Sequence, residues 1–347
     1  MRSVCISQGR NFIPKRLHKA DILQGGEWNE KMKDDMIWGY MLLLSTHMWD
    51  DEYTTRPDPY MAEYDDFCRV DLDVWDSTVR FIAERKYNLA LIDVGDMLKY
   101  ERHPEISAPD AWDKDFLKKK LDEMRALGIE PIPKLNFSTV HDTWLKKYRR
   151  MVSTDEYYKV CCDSIAEVAE AFGNPRLFHL GFDEEDLILP PYEMHVTRCS
   201  KLWWHDLNLF AKTAEKYGAR PWVWADYFWN HPDEFRENMS RDILQSNWYY
   251  GSVEDFPKDS RNYTYLHAYE LLDEYGFDQV ATPSTWSLKR NIHSTVGFCR
   301  DHVKSEHFRG FLAAPWVFTS EENRYTLLDD AARLYHARRT YYPETLK

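Results

Sequence analysis

Residues Leu177-Phe178-His179-Leu180-Gly181-Phe182-Asp183-Glu184-Glu185-Asp186 run from an apolar stretch directly into four consecutive acids. The apolar part, LFHLGF, has the length and continuity of a strand buried on both faces, as in a parallel sheet covered by helices. Four acids in a row ordinarily form a solvated loop or the first turn of a helix, where the macrodipole favours negative charge. Here they follow a buried strand, so they stand where that strand emerges at its C-terminal end.

Seven further runs of the same kind lie around this one, at Ile37–Leu44, Leu89–Val94, Glu130–Leu135, Pro221–Ala225, Ile243–Asn247, Gln279–Thr282 and Gly310–Pro315. With Leu177–Gly181 they make eight strand candidates. Amphipathic stretches with helix punctuation separate them. Ser153 and Glu156 have capping-box spacing and Gly173 ends that helix, while Asp113 opens another that Gly128 ends. Lys201–Tyr217 stops at Gly218, Tyr263–Tyr275 at Gly276, and a last helix spans Asn323–Tyr341. Strand-then-helix alternation implies parallel strands with crossover helices. Eight such units in roughly 300 residues is the size of a TIM (β/α)8 barrel. The competing doubly wound sheet lacks its usual sign, a glycine-rich loop after a strand. The expected organisation is an N-terminal extension over residues 1–35, packed on the barrel, and one α/β catalytic domain over residues 36–347.

Bulk composition narrows the function. The 347 residues carry a formal charge of −13, which argues against a phosphate backbone or an anionic membrane surface as partner. No apolar run reaches the length of a membrane span, and MRSVCISQGRNFIPKR lacks a signal peptide's apolar core. As given, the chain reads as cytoplasmic. Cys5, Cys68, Cys161, Cys162, Cys199 and Cys299 have no zinc-like spacing and read as reduced thiols. The 14 Trp, 22 Tyr and 17 Phe are many. Aromatic faces suit the C–H faces of sugars, although a large barrel also buries many aromatics in its core. An acidic surface and Tyr-rich helices are compatible with a homodimer.

Barrel enzymes work at the C-terminal ends of their strands. In chain order these ends carry His47, Trp49 and Asp50; Asp93 and Asp96; Lys134 and Asn136; His179, Asp183 and Glu184; Trp224, Asp226 and Tyr227; Trp248 and Tyr249; Ser284 and Trp286; and Trp316. Tryptophan recurs at four or five of the eight ends, which describes an acidic pocket with aromatic walls. Breaking a glycosidic bond needs one protonated carboxyl to deliver a proton to the leaving oxygen and a second carboxylate to assist. Asp183 and Glu184 supply such a pair, and their repulsion would raise one proton affinity.

The segment His179-Leu180-Gly181-Phe182-Asp183-Glu184 resembles the H-x-G-G-D-E signature of glycoside hydrolase family 20, the β-N-acetylhexosaminidases. YNLALIDVGDMLKYERHPEI is similar to that family's second-strand region, GIEPIPKLN to its third, ILQSNW to its sixth and RGFLAAPW to its eighth. The likeness spans about residues 36–316, and no stretch of these 347 residues resembles the family's usual N-terminal α/β domain. It implies retaining, substrate-assisted hydrolysis with no cofactor and no metal. Glu184 would be the general acid/base, and Asp183 would orient the 2-acetamido group whose oxygen attacks the anomeric carbon. By the same resemblance Trp224, Trp248 and Trp316 would line the sugar pocket and Tyr249 would bond the acetamido oxygen. His179 reads as a supporting strand residue. The remaining expected substrate contacts are His47, Asp96, Asn136, Asp226 and Trp286.

Several positions depart from the family pattern. Its first-strand Arg falls at Thr46 and its second-strand His at Asp93. The third-strand Glu and Asp fall at Lys134 and Asn136, and the second Gly of the signature is Phe182. The Glu after the eighth-strand Trp falls at Phe318, with Glu321 and Glu322 nearby. The lost Arg and Glu are of the kind that grip outer hydroxyls of a terminal sugar, so the departures bear on substrate more than on the bond-breaking pair. Two other readings remain. One is a metal-dependent sugar isomerase or epimerase, liganding through His47, Asp93, Asp96, His179, Asp183 and Glu184, although H-x-H and H-E-x-x-H spacings are missing. The other is a barrel that binds carbohydrate without catalysis.

Overall fold

The computed structural model of the protein describes residues 36–45, 70–185, 196, 198 and 200–346. Eight parallel strands close in sequence order into a barrel: β1 (Ile37–Leu43), β2 (Leu89–Asp93), β3 (Glu130–Lys134), β4 (Leu177–His179), β5 (Arg220–Trp224), β6 (Leu244–Ser246), β7 (Gln279–Ala281) and β8 (Phe308–Ala313). Each matches an expected strand to within two residues. The ring closes where β8 pairs with β1, Gly310 opposite Ile37. Gly310 has φ +131°, and a Cβ there would lie 2.0 Å from Ile37 O, so the seam requires glycine.

The helices outside the barrel are α1 (Leu72–Glu84), α2 (Lys114–Ala126), α3 (Asp155–Ala171), α4 (Lys201–Lys216), α5 (Tyr227–Asn230), α6 (Pro232–Asn238), α7 (Arg261–Glu274), α8 (Asn291–His302) and α9 (Arg324–Tyr341). Asp113 caps α2 as expected, its Oδ1 accepting from Phe116 N–H at 2.8 Å. The cap of α3 differs from the expected capping box. Thr154 is the N-cap, accepting from Tyr157 N–H, while Ser153 sits at φ +62° and donates to Asp206. Among the described residues no helix is long and apolar enough to cross a membrane, and Cys161, Cys162 and Cys299 are free thiols. The expected extension at residues 1–35 lies outside the described residues.

Strand periodicity sorts the side chains into two cores. Ile37, Met41, Leu43, Leu89, Leu91, Ile132, Leu177, Trp222, Trp224, Leu244, Val280 and Leu312 fill the barrel interior. The residues between them, such as Trp38, Tyr40, Ala90, Ile92, Phe178, Val223 and Phe311, face the helix layer. Trp38, Trp75, Trp144, Trp203 and Trp222 are fully buried. Burying an aromatic ring of that size removes roughly 150–250 Å² from water, on the order of 4–6 kcal/mol before entropy is counted. Much of the tryptophan content therefore belongs to the core and not to a ligand site.

Two turns of the pleat above Leu89 and Glu130, the interior becomes polar. Asp93, Lys134 and His179 stand side by side in register on β2, β3 and β4. Lys134 Nζ forms an ion pair with Asp93 Oδ2, and both side chains are buried. This polar layer is the floor on which the strand-end residues stand.

Candidate active site

Beyond His179 the backbone of β4 leaves strand geometry abruptly. Gly181, Phe182 and Glu184 have φ of +77°, +68° and +61°. The left-handed region costs a non-glycine residue about 1–2 kcal/mol, and such strain persists only where surroundings hold it. Neighbouring strands do so here: Phe137 N–H donates to Leu180 O and Trp224 N–H to Gly181 O. Gly181 is also constrained by space, since a Cβ would fall 1.9 Å from Asn136 Oδ1. Phe182 stands where the family signature has its second glycine. Its ring packs on Trp203 and Phe210 beneath the Arg198 guanidinium at 4.6 Å, which offsets the unfavourable φ.

This turn sends consecutive carboxylates to different partners. Asp183 is buried, accepting from Asn136 Nδ2 at 2.9 Å, with its own carbonyl held by Ser138 Oγ. Glu184 keeps about 30% of its side chain exposed and meets His141, whose Nε2 lies 2.8 Å from Oε2. The same nitrogen is 3.6 Å from Asp183 Oδ2. Glu185 turns away into a buried pair with Arg198 and takes Thr139 N–H at 3.0 Å. Asp183 and Glu185 are thus buried and not part of a solvated loop, while Asp186 lies outside the described residues.

Asp226, just past β5, completes the group. Its Oδ2 accepts from Glu184 N–H at 2.7 Å and its Oδ1 from Trp248 Nε1 at 3.1 Å. Burial, then repulsion from Asp183, raises its proton affinity well above the usual carboxylate range, against the lowering effect of the Glu184 N–H. Burial favours the neutral form of His141, but the Asp183 charge and the Glu184 hydrogen bond outweigh it and lift its pKa to about 9. His179 goes the other way. Burial and then Lys134 push it well below 6.5, and its Nδ1 accepts from Gly181 N–H. It is a neutral support beneath the turn, as its strand position suggests.

The wall is aromatic. Trp224 packs on His179 at 4.4 Å and on Trp316 at 5.8 Å, and Trp248 lies 5.1 Å from Tyr250. Trp316 Nε1 donates to Tyr250 OH at 2.8 Å. Burial raises the Tyr250 hydroxyl's proton affinity, the Trp316 N–H lowers it, and the charges of Glu184, Asp183 and Asp226 raise it further. The expected tyrosine, Tyr249, is displaced by this one. Side chains alternate after β6, so Tyr249 turns into the helix-facing core while Trp248 and Tyr250 face the acids.

Asp183, Glu184, Asn136, Trp224, Asp226, Trp248 and Trp316 therefore come together, but not all as substrate contacts. Asn136 is fully buried and serves Asp183, and Trp224 is 1% exposed and forms the floor. Asp96 is fully buried as well, accepting from Ser45 Oγ and pairing with Lys146 at 2.6 Å, so it braces the loops after β1, β2 and β3. Trp286, 48% exposed, has no hydrogen bond or ring contact with the acid group among the described residues. His47 and Thr46 lie outside the described residues. Phe318 is buried against β1, and the neighbouring acids do not replace the missing Glu, since Glu321 is exposed and pairs with Arg324.

Two members were missed by sequence reading. Tyr250 was within reach of strand alternation. His141 carried a weaker signal, a titratable residue five positions past Asn136 in the loop after β3. His141, Asp183 and Glu184 each offer a ligand atom within 4.8 Å of the others, a spacing that could hold a divalent ion. Without an ion, the Asp183 charge and the Glu184 hydrogen bond hold a proton on this imidazole up to about pH 9, and a liganding imidazole would have to give that proton up. As arranged, the three groups are suited to sharing protons.

No protein-family model and no curated protein matches the sequence. In fold, the chain is similar to solved structures of glycosidases. A β-N-acetylhexosaminidase from Bacteroides fragilis aligns with a TM-score of 0.57 at 11% identity, over 89% of this chain and 71% of that one. The GH20 β-N-acetylhexosaminidase from Streptomyces coelicolor aligns with a TM-score of 0.57 at 13% identity, over 85% and 63%. Dispersin B aligns with a TM-score of 0.54 at 13% identity, over 86% and 98%. The chain thus spans less than two thirds of the Streptomyces coelicolor protein and nearly all of Dispersin B. At these identities the likeness is one of fold, the TIM barrel.

Proposed function

We propose that the protein is a glycoside hydrolase of β-N-acetylhexosaminidase type, cleaving with retention through the substrate's own 2-acetamido group. One observation carries this reading: at a barrel mouth walled by tryptophan, Glu184 is hydrogen-bonded to a proton-holding His141 while the adjacent Asp183 is fixed by Asn136. The fold shared with hexosaminidases supports it.

In this reading Glu184, the more exposed acid, delivers a proton to the leaving glycosidic oxygen as the C1–O bond breaks. Asp183 accepts the acetamido N–H and turns the carbonyl oxygen toward C1, forming a cyclic oxazolinium. Glu184, now a carboxylate, takes a proton from the water that opens that ring. His141 buffers both steps, because one proton can move between Nε2 and Oε2 across 2.8 Å. Tyr250 accepts from Trp316 and keeps its own hydrogen for the acetamido oxygen. Trp248 and Trp316 offer faces to the sugar ring, and Trp286, on its exposed loop, is an outer stacking surface.

The test is a panel of aryl β-glycosides, including N-acetylglucosaminide, N-acetylgalactosaminide, galactoside and glucoside, with wild type and Glu184→Gln. Turnover of an acetamido sugar, its loss by about 10³-fold in Glu184→Gln, and tight inhibition by an N-acetyl-thiazoline are expected. Activity confined to sugars lacking the acetamido group, without thiazoline inhibition, sinks the substrate-assisted mechanism. The spacing of His141, Asp183 and Glu184 favours one second reading, a metal-dependent sugar isomerase. Abolition of activity by EDTA with recovery on adding a divalent ion would select it.

A further inference from the structure

Tyr250 reaches the acid group from a place where the sheet no longer holds the chain. β6 ends at Ser246, and the last bridge to β7 is Trp248 opposite Thr282. Two residues later something other than strand pairing must fix the backbone, or the Tyr250 hydroxyl would not stay 2.8 Å from Trp316 Nε1.

Asn291, the first residue of α8, is fully buried and does this. Its Nδ2 donates to Tyr249 O at 2.8 Å and to Gly251 O at 2.8 Å, the two carbonyls that flank Tyr250. Its Oδ1 accepts from Ser284 N–H at 3.1 Å, in the loop after β7. Both hydrogens and the oxygen of one amide are used, and only a side chain with two donors and an acceptor in that fork satisfies all three. Gly251 is itself closely approached: a Cβ there would fall 2.4 Å from Tyr249 Oη, so the Tyr249 ring folds back over the clamped segment.

We infer that Asn291 is a positioning residue: by clamping the backbone on both sides of Tyr250, it sets where that hydroxyl stands in the sugar pocket. The inference rests on the glycosidase reading for its kinetic consequence and on geometry alone for the clamp. Asn291→Asp keeps the acceptor but turns a carboxylate oxygen toward two carbonyls. Asn291→Ser removes the clamp without adding a buried charge and serves if the first variant does not fold.

Each variant is compared in the wild-type and the Tyr250→Phe backgrounds, with kcat/KM on a chromogenic β-N-acetylglucosaminide. The expected loss is about tenfold or more in the wild-type background and less than about twofold once the hydroxyl is gone. An equal loss in both backgrounds overturns the inference, as does no loss at all. A second readout needs no activity: chymotrypsin nicking mapped to Trp248–Tyr250. Cleavage about tenfold faster in the variants than in wild type is expected from loss of two buried hydrogen bonds, and unchanged cleavage overturns the clamp. If wild type hydrolyses no glycoside, the functional reading fails and the nicking result alone decides Asn291. Failure of both variants to fold would also overturn the inference, by making Asn291 a residue of the scaffold.

Discussion

His141 Nε2 lies 2.8 Å from Glu184 Oε2 and 3.6 Å from Asp183 Oδ2, so one imidazole faces two carboxylates from consecutive positions. The loop after β3 supplies the base and the turn after β4 supplies both acids. Much of the site's pH behaviour follows from this contact.

His141→Gln tests it. Its native pKa is raised from 6.5 to about 9, so the stabilisation it gives is complete below pH 6.5 and is lost as pH rises through about 9. The size is on the order of 3 kcal/mol. Thermal unfolding of wild type against His141→Gln from pH 6 to 10 should show the two curves converging toward alkaline pH. The alkaline limb of kcat/KM should move to lower pH in the variant, which lacks the proton store. Parallel stability curves across that range would contradict the assignment.

Asp226 predicts a different pH response. Its native proton affinity is raised, so its contribution to stability is present below the unfolded value of 3.8 and is lost as pH rises through its native value. Asp226→Asn removes that loss, and the fall in stability between pH 4 and neutrality should be shallower than in wild type. Activity should still drop by about tenfold or more, because an amide cannot accept from both Glu184 N–H and Trp248 Nε1. Circular dichroism melts at several pH values, paired with kinetics, check both parts.

The pair Asp93–Lys134 occupies two of the positions that depart from the family pattern, and the structure places those two departures in contact. Lys134→Met alone leaves a buried carboxylate without its partner and should cost about 3–5 kcal/mol. The double variant Asp93→Leu with Lys134→Met should recover most of that loss. Denaturant unfolding of wild type, Lys134→Met, Asp93→Leu and the double variant measures the coupling; additive losses would show that the contact carries little energy.

Gly181→Ala should be severe for two reasons that add. The backbone at φ +77° disfavours a side chain, and the new methyl would enter the space of Asn136 Oδ1. A stability loss of about 2–4 kcal/mol is expected, with activity down about 10²-fold as the Asn136–Asp183 bond is displaced. Asn136→Ala separates the effects, since it loses the bond and keeps the backbone.

The barrel was legible in the sequence because its evidence repeats: eight apolar runs, with four of the helices between them ended by a glycine, leave little freedom. The acids were legible for a similar reason, since Asp183 and Glu184 follow a strand without interruption. What stayed hidden depended on side-chain direction. Asp96 and Asn136 sit at strand ends like ligand contacts, yet burial turns both into supports. Tyr249 and Tyr250 differ only in the parity of a strand. His141 stands in an irregular loop, where no periodicity reports which way a ring points. Ser153 was mistaken for the cap of α3 because the capping pattern tolerates a shift of one residue, and Thr154 fills that place.

Arg198 shows how the spacing between acid and base is kept. Its guanidinium bonds Phe137 O in the loop after β3, Glu185 in the turn after β4, and Asp206 in α4. The two segments that carry His141 and Glu184 thus share one anchor, and a displacement of either is transmitted to the other. One buried guanidinium therefore ties the separation of His141 and Glu184 to the position of α4 as well as to the two loops.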